Sequence, residues 1–296
     1  VLLKNDNKSL PLNDIEKIAF IGPMVKTNEV IGAWGGKARI EDCISLSEAL
    51  DSNNHIYTYA KGSDIHSISQ ELIDEAIKIA SAADKIVLAL GEHQHMAGEA
   101  NARSNICLPE SQMRLIDEIS KLGKPIVLLV SAGRPLDLTN VVNKVDSILY
   151  TWFLGTMSGQ AIEKLIYGKE NPSGKLTMSF PYTVGQIPVY YNTLNTGRPY
   201  DGVTFYTSHY LDIPNEPLYP FGYGLSYSNF EYSNLIIENK IVNKNDVIKV
   251  KVDVFNNSNV SISLLISFSI LFFSFSLFII GFFTSFTFVF VSFLIK

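Results

Sequence analysis

The chain is poor in cysteine: Cys43 and Cys107 are its two, in 296 residues. That excludes a disulfide framework and leaves the redox compartment unmarked. Positive charge is not in excess either, with 24 Lys and Arg against 29 Asp and Glu for a net of −5. A nucleic-acid binder needs a basic face, so that class is set aside. Twelve Pro, 19 Gly and 47% hydrophobic residues rule out collagen-like and disordered chains and fit a coiled coil poorly. A phosphate-binding loop and a dinucleotide fingerprint are both missing, since Ile31-Gly-Ala-Trp-Gly-Gly36 lacks the glycine spacing. Nor is Gly155-Thr-Met-Ser158-Gly159 a nucleophile elbow, because glycines do not flank Ser158 at both required positions. Val1-Leu-Leu-Lys-Asn-Asp opens with neither Met nor a secretory leader, so the chain reads as a piece whose beginning lies elsewhere.

Charge then disappears altogether. No charged residue occurs from Ile262 to Ile295, and Lys296 is the single charge after Asp253. Eleven of the 18 Phe fall in the same stretch. Such a run exceeds the roughly 20 apolar residues that cross a bilayer, which makes a transmembrane anchor a physical possibility. Against it stand the missing Trp and Tyr belt and the single flanking cation. Phe, Ser, Ile, Leu and Val all have T-rich codons, and a T-rich strand read out of frame gives this composition. The frameshift is the preferred reading, and a membrane is a partner only if the tail is genuine.

What remains is ordinary and well patterned. Ile18-Ala-Phe-Ile stopped by Gly22-Pro23, Lys85-Ile-Val-Leu-Ala-Leu-Gly, Pro125-Ile-Val-Leu-Leu-Val and Ser147-Ile-Leu-Tyr read as buried strands, with a Tyr- and Ile-rich strand over 55–60. Helical spacing covers 45–50, 67–83, 109–122 and 158–167, the last ended by Gly168. Continuous apolar strands alternating with helices predict an α/β fold, a mostly parallel sheet sandwiched by helices. Long irregular loops follow over 181–227, then alternating segments at 231–237 and 247–255 that predict half-buried antiparallel strands, with a turn at Asn256–Asn259.

Chemistry in such a sheet sits in loops at the carboxyl ends of the strands. About 17 residues separate the strand at 85–90 from the next helix, where two to six are usual, and long polar loops there tend to be functional. The segment holds Glu92, His93, His95, Glu99 and Arg103. Glu92 or Glu99 is a candidate general acid, its proton retained by apolar neighbours such as Met96. His93 and His95 with either Glu are candidate metal ligands, but His-x-His without a third placed ligand is a weak signal. Arg103 suits the orientation of a carboxylate or a substrate hydroxyl, and equally a surface ion pair. Trp34 reads as a sugar-stacking platform or as a core or interface residue. Nine of the 14 Tyr lie between 181 and 227, a density shared by carbohydrate grooves and domain interfaces, with an interface favoured.

Taken in order, Val1-Leu-Leu-Lys-Asn-Asp, Ile21-Gly-Pro, Gly32-Ala-Trp, Gly91-Glu…Glu99-Ala…Arg103, Gly133-Arg-Pro, Trp152-Phe-Leu-Gly, Asn171-Pro-Ser-Gly-Lys-Leu and Tyr219-Pro-Phe-Gly-Tyr-Gly-Leu-Ser-Tyr form a set. Together with Gln186-Ile-Pro-Val-Tyr-Tyr-Asn and Asn195-Thr-Gly-Arg-Pro-Tyr, they resemble the C-terminal α/β-sandwich domain of glycoside hydrolase family three, in its periplasmic bacterial β-glucosidase branch. The resemblance spans residues 1–259. It implies a retaining β-glycosidase with a barrel Asp as nucleophile and, at the position of Glu99, an acid/base Glu. Glu92 is then structural, while Arg103 and Trp34 are the substrate-binding candidates. Neither metal nor cofactor is implied. The expected partners are a β-glucoside or oligosaccharide and an N-terminal (β/α)8 barrel missing from this sequence. The implied location is periplasmic or extracellular. On this reading 1–229 is the α/β domain, 230–259 the truncated start of a fibronectin-III-like domain, and 260–296 the hydrophobic tail. The chain alone is expected to be inactive. A carbohydrate-binding or complementation module and another β-glycosidase such as a β-xylosidase are the alternatives.

Overall fold

The computed structural model describes residues 1–194, 196–238 and 250–257, and the backbone alone at 262–270, 273–281 and 285–290. The expected turn at 256–259 beyond Asn257, the expected strand start at 247–249 and the side chains of the tail lie outside the described residues. Two compact units emerge, one of residues 1–170 and 174–225, the other of 171–173 and 226–296.

The first unit is built on a six-stranded sheet. Its strands are β1 (Leu2–Asn5), β2 (Ile18–Ile21), β3 (Tyr57–Ala60), β4 (Lys85–Gly91), β5 (Ile126–Ser131) and β6 (Ser147–Tyr150), ordered β1-β6-β5-β4-β2-β3. All pairs are parallel except β1 with β6. Every residue of β2, β4, β5 and β6 is buried, as two covered faces demand. Ile21, Ile86, Leu88, Leu90, Leu128 and Val130 share one core with helices α2 (Gln70–Ser81) and α3 (Glu110–Ser120). Phe20, Val87 and Leu129, which alternate with them along the strands, are buried too. Helices α1 (Leu46–Ser52) and α4 (Ser158–Ile166) pack on each other and bury Leu46, Leu50, Ile162 and Ile166.

The helix starts follow from sequence chemistry. Ser45 accepts from the Glu48 amide while Glu48 returns a bond to the Ser45 amide, a capping box, and these bonds from Ser45 hold the Glu48 carboxyl below its ordinary range. Ser69 caps α2 through the Leu72 amide. Edge strand β1 was not anticipated as a strand, and the reason is plain: four residues carry no periodicity, and its partner lies some 145 positions away.

At the amino end of the parallel strands, charges are buried. His55 places Nδ1 2.8 Å from Asp14 and Nε2 2.7 Å from Glu163, and its ring stacks on Tyr167 with centroids 3.7 Å apart. Glu163 is 1% exposed and pairs in addition with Lys169. His55→Ala removes one of the two partners of that carboxylate while leaving it out of water. A loss of about 2–3 kcal/mol is expected, read from the urea midpoint at constant slope. A shift under about 0.5 kcal/mol would show that Lys169 alone satisfies Glu163.

In the second unit, β7 (Phe230–Ile237) pairs antiparallel with β8 (Val250–Asn256). Burial in β8 alternates, with Val252 and Val254 inside, but β7 is exposed along most of its length instead of half-buried. In the tail, the backbone of Ile262–Ile270 pairs with Phe273–Gly281, and Ser285–Phe290 pairs with β8. Among the described residues no helix is long and apolar enough to cross a membrane.

Candidate functional site

Strand order decides where loops meet. The chain runs from β2 outward to β3, then crosses back over β2 to β4, so the order reverses between β2 and β4. A crevice forms at the carboxyl ends of strands flanking such a reversal. The loop leaving β2 carries Trp34 and the loop leaving β4 carries Glu99. They touch: a Cβ placed on Gly98 would lie 3.3 Å from Trp34 Nε1 and 2.7 Å from the Ala33 Cβ. Glu29 of the first loop also reaches His93 Nε2 of the second at 2.8 Å. The structure therefore brings Trp34 against Gly98, the residue before Glu99, and Trp34, 74% exposed, is not a core residue.

Burial separates the two carboxylates that the loop's own residues left open and that the family resemblance alone told apart. Glu92 is 0% exposed, with Oε1 2.6 Å from Arg103 Nη1 and 3.0 Å from Arg134 Nε, while the Gly133 amide donates to Oε2 at 3.3 Å. A carboxylate so enclosed cannot approach a substrate. Glu99 is exposed, and among the described residues its carboxylate has no hydrogen-bond or ionic partner. It is followed by Ala100 at φ 59°, a conformation that L side chains adopt rarely and that clusters at functional sites. Arg103 is occupied by Glu92 and, at 3.3 Å, by the Cys107 carbonyl, so its guanidinium faces the protein.

The base of the loop is rigid. Gln112 on α3 donates to the Gly91 carbonyl and accepts from the Gly91 amide, both at 2.8 Å. Glu92 continues the ladder by donating its amide to Ser131 at 2.8 Å. Burial, reinforced by the negative charge of Glu92, pushes the Tyr150 hydroxyl far up, so it remains a donor and binds the Arg134 carbonyl. His93 and His95 do not build a metal site. His93 Nδ1 accepts from the His95 amide and Nε2 meets Glu29, and among the described residues no group of three His, Cys, Asp or Glu is placed to hold an ion.

The Tyr-rich segment is divided. Tyr219 is buried against Phe180 and Tyr223, whereas Tyr190, Tyr191, Tyr200 and Tyr206 are exposed. Tyr191 stacks on Phe221 at 4.3 Å and, with Tyr190, Met178, Arg103 and Arg134, lines a cavity of about 560 Å³. Sequence reasoning gave no role to Arg134 or Gln112. The available signal was Gly133-Arg-Pro directly after a buried strand, a position where a loop side chain faces the crevice.

Residues 1–227 match the sequence profile of the Glycosyl hydrolase family 3 C-terminal domain. The chain belongs to that family. Among its family 3 relatives, a periplasmic beta-glucosidase of Salmonella typhimurium is 40% identical over 282 residues, covering 86% of this chain and 37% of that protein. A beta-xylosidase of Formosa agariphila is 36% identical over 273 residues, covering 88% of this chain and 37% of that protein. The crystal structure of a beta-glucosidase from Listeria innocua in complex with isofagomine superposes with a TM-score of 0.90 at 36% identity, over 99% of this chain and 43% of that one. This family 3 chain thus spans about two fifths of the length of the proteins it matches. A mixed α/β fold with a mostly parallel sheet is common ground between the sequence reading and the structure.

Proposed function

We propose that this chain supplies the general acid/base of a retaining β-glycosidase, with Glu99 as that residue and β-glucosides as the substrate class. The observation that carries the reading is the contrast within one loop. Glu92 is enclosed by two arginines, while Glu99 stands exposed, directly after a glycine that an exposed tryptophan approaches. A retaining mechanism needs a second carboxylate about 5–5.5 Å from the first, to attack the anomeric carbon while the acid protonates the leaving oxygen. Glu99 is exposed to solvent, and on this reading the nucleophile is supplied by protein outside this chain, in keeping with the two-fifths coverage of its relatives. Trp34 offers a flat apolar surface for a sugar face next to the acid. Arg103 acts at one remove, by holding Glu92. A periplasmic or extracellular location and a fragment relationship to a barrel belong to the same proposal. The beta-xylosidase relative at 36% identity favours β-xylosides as the second substrate reading.

The test is a chimera. Residues 1–227 replace the matching segment of the Salmonella relative, and hydrolysis of 4-nitrophenyl β-glucoside and β-xyloside is assayed beside the isolated chain. The isolated chain is expected to release no nitrophenol and to show no saturable Trp fluorescence change with cellobiose, while the chimera is active. Turnover by the isolated chain would sink the two-part reading. Saturable sugar binding without turnover would favour the carbohydrate-binding module.

A further inference from the structure

We propose that Arg134 is the positioning residue of the acid/base loop, a clamp that fixes Glu99 by gripping the backbone on both sides of it; this rests on the reading of Glu99 as the acid/base. The loop between β4 and α3 contains only a single turn of 3-10 helix, Gln94–Met96, before Glu99. Its internal backbone bonds near Glu99 are few: the Met96 amide to His93 at 2.8 Å and the Asn101 amide to Gly98 at 3.3 Å. A proton donor must nevertheless be held within about 0.5 Å of its working position. Arg134 reaches across from the end of β5. One guanidinium nitrogen donates to the carbonyls of Met96 and of Asn101, the latter at 2.9 Å. Those residues stand three before and two after Glu99. Among the described residues no other side chain from outside the loop bonds its backbone on both flanks of Glu99.

The same guanidinium is paired by charge at the root of the loop, where Nε lies 3.0 Å from Glu92 Oε1, although among the described residues this N–H makes no hydrogen bond. Arg103, at the far end of the loop, meets that oxygen too, at 2.6 Å. One planar fork therefore joins root, ascending limb and descending limb. Its own footing is firm, since the Arg134 carbonyl accepts from the fully buried Tyr150 hydroxyl and Pro135 follows. The left-handed Ala100 also needs such a device, because a strained residue persists only where its surroundings over-determine it. A lysine ends in a single ammonium, which cannot lie at the two carbonyls and beside Glu92 at once.

The experiment is amide hydrogen exchange of the 296-residue chain, kept in mild non-ionic detergent, on peptides covering 94–103, for the wild type, Arg134→Gln and Arg134→Lys. Exchange in this segment is expected to rise at least tenfold in both variants while β4 and α3 keep their protection. Wild-type protection in Arg134→Lys would reduce the role to charge balance for Glu92 and overturn the clamp. Unchanged exchange in Arg134→Gln would overturn it outright. Trypsin provides a measurement that needs no variant: the wild-type bond after Arg103 is expected to resist cleavage, and cutting at the rate of an unfolded peptide refutes the clamp. No sugar enters either readout. A glycosidase assay that fails on Glu99 therefore rejects the acid/base reading without touching the clamp, and the reverse holds for the exchange data.

Discussion

Replacing Gly91 by alanine is expected to abolish cooperative folding of the α/β unit. Gly91 ends β4 at φ 156°, and a Cβ built there overlaps the Ser131 carbonyl oxygen and lies 2.7 Å from its carbon. Ser131 belongs to the neighbouring strand β5, so the obstacle is backbone inside the sheet and has no soft side chain to yield. Relief requires β4 and β5 to part at the point where Gln112 pins Gly91 with two hydrogen bonds and the Glu92 amide donates to Ser131. Loss of those bonds together with the strain costs more than about 4 kcal/mol, a large share of the roughly 5–15 kcal/mol that holds a domain together. Urea unfolding should show no cooperative transition, or one moved to the lowest denaturant. Gly123 offers the contrast. It has φ 64° with nothing within 4 Å of a built Cβ, so Gly123→Ala should cost only about 1 kcal/mol. Equal midpoints for Gly91→Ala and the wild type would refute the account of the β4–β5 contact.

The second large effect concerns rate. In the active chimera, Glu99→Gln is expected to lower kcat/KM for cellobiose, whose sugar leaving group must be protonated, by about 10²–10⁴, the ordinary share of general acid–base catalysis. Glutamine keeps the volume and one hydrogen-bonding oxygen but cannot deliver a proton. The loss should shrink for an aryl glucoside whose leaving group departs as a stable anion, because that bond breaks without protonation. Glu92→Gln, by contrast, should act through loop order and protein stability, with no such dependence on the leaving group. If the Glu99 variant retains full rate on the poorer leaving group, the acid lies elsewhere.

How far the sequence carried varies from element to element, for physical reasons. Strands β4 and β5 were legible because they are buried on both faces and therefore apolar throughout. The loop with Glu99 announced itself by length and polarity. Strand β1 did not, since Lys4 interrupts its apolar pair and its identity depends on β6. Even that lysine is used: its ammonium donates to the carbonyls of Val142 and Val145 at 2.6 and 2.7 Å. Apart from the family resemblance, burial alone distinguished Glu92 from Glu99, and no local pattern encodes burial. Arg134 was invisible as a partner of Met96 and Asn101 because their meeting depends on β4 lying beside β5 in the sheet. Trp34 and Gly98 are likewise joined only by the reversal of strand order. The half-burial expected for β7 failed because alternation in sequence presupposes a covering layer, which its exposed residues do not have among the described ones.

The antiparallel edge strand has a bearing on the order of events during synthesis. Leu2 pairs with Leu149, so the hydrogen bonds that complete the sheet join residues made far apart in time. At about 5–20 residues per second the ribosome needs about 7–30 seconds to reach the partner strand. Local units such as β2–α1–β3 and β4–α3–β5 have by then had ample time to form. Leu2 and Leu3, fully buried at the end, spend that interval without their site. The last closure of the sheet is therefore the step with the longest sequence separation, and the period before it is when this domain most needs shielding from its neighbours.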